Sequence, residues 1–144
     1  MKNVWRSIIE FNVPSEIGNE RMVVDRVAAE ARNYISGEPL EKLKTAVAEA
    51  TLNAIEHGNQ SRAELPVSVN LLISETAIAV RISDEGGDQP IPEHTSPDLE
   101  KKLAGLETPR GWGLFLIRNM VDEINITYDN GRHTVELLIY QNQN

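Results

Sequence analysis

The sequence predicts an α/β protein of two layers, a mixed but mostly antiparallel sheet with helices over one face. Three observations carry this expectation. Two stretches with apolar residues at helical spacing succeed each other directly between residues 16 and 57, so helices do not alternate with strands. Four later β-branched runs neighbour one another in pairs across short turns, which disfavours a doubly wound parallel sheet. The chain has 144 residues and 40% hydrophobic content, enough for one core with little room for a second, so residues 1–144 are expected as a single domain.

The first run, Val4 to Val13, carries Ile8, Ile9, Phe11 and Val13 and stops at Pro14-Ser15, as a strand leading into a helix does. Ser15 is the expected N-cap of a helix from Glu16 to about Ile35, with Ile17, Val23, Val24, Val27, Ala28, Ala31 and Ile35 on its apolar stripe. Gly37 and Pro39 interrupt that pattern. A second helix is predicted from about Leu40 to His57, burying Leu43, Ala46, Val47, Ala50, Leu52 and Ile55, with Gly58 as its stop. Pro66 to Ser74 and Thr76 to Ser83 read as a tight antiparallel hairpin turning at Glu75. Residues 84–100 hold three Pro and six acidic residues without Lys or Arg, the composition of an irregular solvated loop. Gly111 to Val121 reads as a glycine-led helix. Glu123 to Tyr128 and His133 to Tyr140 read as strands around an Asp129-Asn130-Gly131 turn.

Composition narrows the chemistry. There is no Cys, so disulfides, thiolate metal sites and cysteine nucleophiles are excluded, and three His are too few for a rich metal cluster. Fourteen Lys and Arg against 22 Asp and Glu give a net charge of −8, which argues against broad nucleic-acid backbone binding. No apolar run approaches the roughly 20 residues that span a bilayer, and the N-terminal run alternates, so a cytoplasmic protein is expected. Trp5 and Trp112 are expected mainly as packing residues.

Three places can carry chemistry. Glu49, Asn53 and His57 are spaced four apart in the second helix and are expected along one polar stripe. An amide oxygen from Asn53 suits Mg²⁺, and Glu49 one turn earlier can accept a proton; a plain solvated stripe is the competing reading. His57 can touch a phosphate or simply cap the helix end. Asp84 closes a strand before Gly86 and Gly87, where its carboxylate can accept a hydrogen bond from an exocyclic amine, or merely form a turn. Arg110-Gly111-Trp112-Gly113-Leu114 precedes a helix, where free N–H groups favour an anionic phosphate, or where a linker caps a buried helix.

Taken together, these elements resemble the anti-sigma factor serine kinases, a bacterial regulatory branch of the Bergerat-fold ATPases. The resemblance covers nearly the whole chain. Glu49 to Asn59 (EATLNAIEHGN) looks like the family's N box, Asp84-Glu85-Gly86 like the start of its first glycine box, and Gly111 to Leu114 (GWGL) like its second. The resemblance implies the Bergerat ATP-binding fold, with a lid at about residues 85–110. It implies ATP as ligand, Mg²⁺ held by Asn53, Glu49 as general base and Asp84 reading the adenine amine. Gly86 would admit the base, and Gly111, Trp112, Gly113 and Leu114 would contact phosphates. Arg110 is expected to steady the transferring phosphate. The chain departs from the pattern at Asp88, which stands where the first glycine box has its second glycine. A carboxylate about 4 Å from a phosphate costs on the order of 1 to 4 kcal/mol.

The expected function is therefore that of an ATP-dependent serine/threonine protein kinase acting as an anti-sigma or partner-switching regulator. Its substrate would be a serine or threonine on an anti-sigma factor antagonist, and a sigma factor is a further expected partner. The alternative, favoured by Asp88, is a nucleotide-gated or inactive module that sequesters its partner without phosphate transfer. The apolar face from Val23 to Ile35 is a candidate homodimer surface, with burial against its own sheet as the competing expectation.

Overall fold

The structure, a computed structural model, describes residues 4–86 and 117–141. Among these residues the elements run in the order β1 (Arg6–Pro14), α1 (Asn19–Ala31), α2 (Gly37–Asn53), a π-helical turn (Ala54–Gly58), β2 (Pro66–Ile73), β3 (Ala77–Asp84), β4 (Glu123–Asp129) and β5 (Arg132–Tyr140). The strands lie in the order β1-β2-β3-β5-β4. Every pairing among them is antiparallel, so the mixed component expected from sequence is not found among the described strands.

Alternation along the strands builds the two layers. Val67, Val69, Leu71 and Ile73 of β2, Ile78, Val80 and Ile82 of β3, and Val135, Leu137 and Ile139 of β5 form the core face. Onto it pack Val23, Val27 and Ala31 of α1 and Leu43, Ala46, Val47 and Ala50 of α2. The α1 face considered for homodimerisation is thus occupied by its own sheet: Val23 and Ala31 are fully buried. The opposite sheet face is largely polar, with Arg81 Nε donating to Glu136 Oε2 at 2.8 Å and Ser83 bonded to Thr134 at 2.8 Å. A smaller apolar cluster of Leu72, Ala77, Ala79 and Leu138 under Trp5 lies apart from the main core; Trp5 is a packing residue, as expected.

Several element ends differ from expectation, for identifiable reasons. Ser15 does not cap α1. It is buried, its hydroxyl donates to the Leu65 carbonyl at 2.6 Å, and the chain turns instead through Gly18, whose φ of 110° is open to glycine. α1 accordingly starts at Asn19, ends at Ala31, and leaves Ile17 exposed. α2 starts at Gly37, ahead of the expected Leu40, because Pro39 falls in its first turn, where a missing N–H breaks no helical bond. Leu52 is half-buried rather than core. The first strand extends through Pro14, tolerated at the end of an edge strand.

The two hairpins match expectation. Ser74 Oγ accepts the N–H groups of Ala77 at 3.1 Å and Thr76 at 3.3 Å, closing the β2–β3 turn. Asn130 and Gly131, with φ of 53° and 76°, connect β4 to β5 as a type I′ pair would. Of the helix expected over residues 111–121, only the end from Ile117 lies in the described residues; Ile117 is fully buried in the core. The acidic loop, Asp88 included, lies outside them from residue 87 onward.

Candidate functional site

The end of α2 carries the first part of the site. Glu49 and Asn53 are one turn apart, both half-buried. The α-helical register stops at Asn53, and the next residues form a π turn in which Asn59 N–H donates to the Ala54 carbonyl at 2.8 Å. The stripe expected to include His57 therefore does not continue in α-helical phase, and His57 stands exposed on the π turn. Such π segments are frequent at functional sites, where the wider turn re-aims the chain beyond it.

Here the turn delivers Gly58 directly against the end of β3. A Cβ at Gly58 would lie 2.2 Å from Cγ of Asp84, and one at Gly86 would lie 2.3 Å from the Gly58 carbonyl oxygen. Only residues without side chains allow this approach. The contact seats Asp84, 4% exposed, beneath the joint between the π turn and the strand end.

Asp84 is held by polar partners. Its Oδ1 accepts the Gly86 N–H at 2.8 Å and lies 3.2 Å from Nδ1 of His133. Burial raises the Asp84 pKa above the ordinary aspartate value, with Glu85 adding to the rise, while the Gly86 N–H and His133 oppose it. Glu49 is raised as well, first by burial and then by the negative fields of Glu56 and Glu20. A carboxylate moved upward toward neutrality is better matched to proton abstraction than an ordinary one.

Sequence reasoning gives no role to two residues that organise this region, Asn59, named only as the end of its motif-like segment, and His133. Asn59, 1% exposed, donates to Ser15 Oγ (2.9 Å), the Pro66 carbonyl (3.0 Å) and the Leu65 carbonyl (3.3 Å), and accepts the Glu85 N–H at 2.8 Å. It ties the end of the π turn to the residue after β1, the start of β2 and the residue after Asp84. His133 is 2% exposed and stacks on Tyr128 at 4.5 Å between ring centroids. An asparagine after a glycine reads as turn chemistry, and a histidine beside a hairpin reads as surface; the only available signal was that His133 sits in phase with Val135 and Leu137.

The structure thus brings Asp84 and Gly86 together with Gly58 of the π turn, and places Glu49 and Asn53 on α2. Arg110, Gly111, Trp112, Gly113 and Leu114 lie outside the described residues. Among the described residues no group of three His, Asp or Glu could cage a metal ion. Asn53 offers one neutral oxygen, a donor set that fits Mg²⁺ carried in with phosphates and waters.

Residues 13–139 match the family described as histidine kinase-like ATPase domain. The chain is 31% identical over 129 residues to the serine-protein kinase RsbW of Listeria monocytogenes serovar 1/2a, covering 82% of this chain and 76% of the relative. It is also 31% identical over 134 residues to the serine-protein kinase RsbW of Oceanobacillus iheyensis, covering 85% and 80%. Among solved structures, the RsbU and RsbW domains of Rv1364c from Mycobacterium tuberculosis superpose with a TM-score of 0.65 at 16% identity. That match covers 93% of this chain and 33% of the other, and it is a likeness of fold.

Proposed function

The chain belongs to the histidine kinase-like ATPase family, in the branch that holds the serine-protein kinases, and from that premise we propose that it is an ATP-dependent serine/threonine protein kinase working as an anti-sigma, partner-switching regulator. Its substrate in this reading is a serine or threonine on an anti-sigma factor antagonist, and a sigma factor is the second partner. Among the described residues no helix is long and apolar enough to cross a membrane; a cytoplasmic location is part of the proposal.

One observation supports the reading above the others. The Asp84 carboxylate is buried against the Gly58–Gly86 contact, beside the end of the helix that carries Glu49 and Asn53. The Gly86 N–H and His133 Nδ1 both meet Oδ1, which leaves the carboxylate acceptor capacity for a further donor, and the adenine amine is such a donor. In this arrangement Asp84 accepts from the amine, and Gly86 lets the base lie close to the backbone. Asn53 supplies the amide oxygen for Mg²⁺, which when bound would neutralise charge on the phosphates. Glu49, with its raised pKa, takes the proton from the attacking hydroxyl. Gly111, Trp112, Gly113, Leu114 and His57 are assigned to the nucleotide and Arg110 to the transferring phosphate, on the resemblance of their segments to the family's motifs.

The experiment is a titration with ATP and Mg²⁺ and then radiolabelled phosphate transfer to a candidate antagonist, comparing the parent with Glu49→Ala. The kinase reading expects binding by both and transfer by the parent alone. Binding without transfer by the parent would favour the nucleotide-gated binding module. Equal transfer by Glu49→Ala would remove Glu49 from its role.

A further inference from the structure

Asp84, His133 and Tyr128 form one row across the sheet. Asp84 of β3 is the direct register partner of His133 on β5, and His133 is that of Tyr128 on β4. The row lies at the end of the core-facing layer, since His133 alternates in phase with the buried Val135 and Leu137. A histidine buried to 2% exposure has given up its water, so its two nitrogens must be accounted for. Nδ1 lies 3.2 Å from Asp84 Oδ1, whereas Nε2 has no hydrogen-bond partner among the described residues.

That asymmetry assigns the proton. If Nε2 carried a hydrogen, whether in the other tautomer or in an imidazolium, a buried N–H would go unpaired, at a cost that charge increases. With the single proton on Nδ1, the ring donates to Asp84 and leaves only a lone pair unmet. Oδ1 then accepts two hydrogen bonds, from His133 Nδ1–H and from Gly86 N–H. Oδ2 accepts none among the described residues.

We infer that His133 is the positioning residue of the ligand-reading carboxylate: by occupying Oδ1 together with Gly86, it orients Asp84 so that Oδ2 is the oxygen offered to the amino group of an aminopurine. The inference rests on the reading above, in which Asp84 accepts from the adenine amine. It goes beyond that reading in placing the origin of base selectivity on β5, in an imidazole that never touches the nucleotide. Stacking on Tyr128 holds the ring plane while Nδ1 faces the carboxylate.

The test uses the full chain and two probes by calorimetry, ATP·Mg²⁺ and purine riboside triphosphate·Mg²⁺, which lacks the 6-amino group. His133→Phe keeps a ring against Tyr128 and removes the donor; His133→Asn keeps a donor near the Nδ1 position and removes the ring. The parent should prefer ATP over the deamino probe by about tenfold or more, the loss expected when a hydrogen bond to a charged group is missing. His133→Phe should lower ATP affinity by about tenfold while changing deamino affinity less than about twofold, and His133→Asn should restore most of the preference. Unchanged preference in His133→Phe overturns the inference. So does a pattern in which Phe retains affinity for both probes and Asn loses both, since that marks a packing role. Nitrogen-15 shifts of the His133 ring in the parent are independent of any variant's folding, and a proton found on Nε2 overturns the inference directly. Failure of the parent to bind ATP at all would instead overturn the kinase reading, and this inference with it.

Discussion

Asp84 is pulled in opposite directions, and the balance can be measured. Burial disfavours its charge, while the Gly86 N–H and His133 favour it; burial is the largest influence, so its pKa is raised. A group raised in the folded state contributes stability at low pH that is lost as pH rises through its folded value. Wherever it is ionised, Asp84 is therefore a burden on the unliganded protein. Asp84→Asn keeps an acceptor for Gly86 and His133 and removes the charge. It should unfold no earlier than the parent at pH 7 in a thermal melt, with any advantage shrinking as pH falls through the raised Asp84 pKa, while ATP affinity drops by about tenfold or more. A variant that is less stable at pH 7 would show that the charge is better solvated than its burial implies. Glu49 responds to its neighbours on the same logic. Since Glu20 and Glu56 both raise it, the acid limb of the transfer rate should lie above the ordinary glutamate range, and Glu20→Gln should move that limb to lower pH. An unmoved limb would mean that another group titrates there. Of these residues, Glu49, Asn53 and Asp84 are singled out by the sequence, but their spacing and strand-end position fit a solvated stripe and a turn equally well, and the roles proposed for them rest on the resemblance of their segments to the family's motifs. His133 is not singled out, because its significance depends on cross-strand register with Asp84, 49 positions away.

At the scale of elements, the hairpins were the most legible, since Ser74 and Asn130-Gly131 supply turn geometry within a few residues. The helix ends were less so. Ser15 has the right identity for a cap, but a partner 50 positions away, the Leu65 carbonyl, takes its hydroxyl. The π turn had no periodic signal at all, because Ile55 keeps its place in the apolar pattern whether the turn is α or π. What holds that turn is Asn59, whose side chain satisfies three acceptors and one backbone donor around it. Asn59→Ala should leave the Glu85 N–H and the Pro66 carbonyl short of partners and cost about 2–3 kcal/mol in urea unfolding. Because Glu85 adjoins Asp84, the same variant should also weaken ATP binding. A loss below about 0.5 kcal/mol would show that water replaces the amide without penalty.

For the whole molecule, the antiparallel sheet of the described strands places the candidate site where two distant parts of the chain meet, the end of α2 and the end of β3, with β5 behind them. The two-layer architecture was readable because alternation and helical period are local properties that a single core must satisfy together. The all-antiparallel order was not, since it depends on β5 entering between β3 and β4. A ligand that binds across such a joint stabilises the native state by mass action, and a chain with net charge −8 meets anionic ATP across an unfavourable field unless Mg²⁺ accompanies it. At ATP·Mg²⁺ concentrations near a hundred times the dissociation constant, the gain is about 2.7 kcal/mol, which for a chain of this size raises the melting temperature by roughly 6–10 °C. Chelating Mg²⁺ with EDTA should remove most of that rise, and Asp84→Asn should show little of it at the same nucleotide concentration. A full shift persisting in EDTA would mean that Asn53 and the metal contribute nothing to holding the nucleotide. A full shift persisting in Asp84→Asn would place the nucleotide elsewhere on the molecule, away from the buried carboxylate on which the site is built.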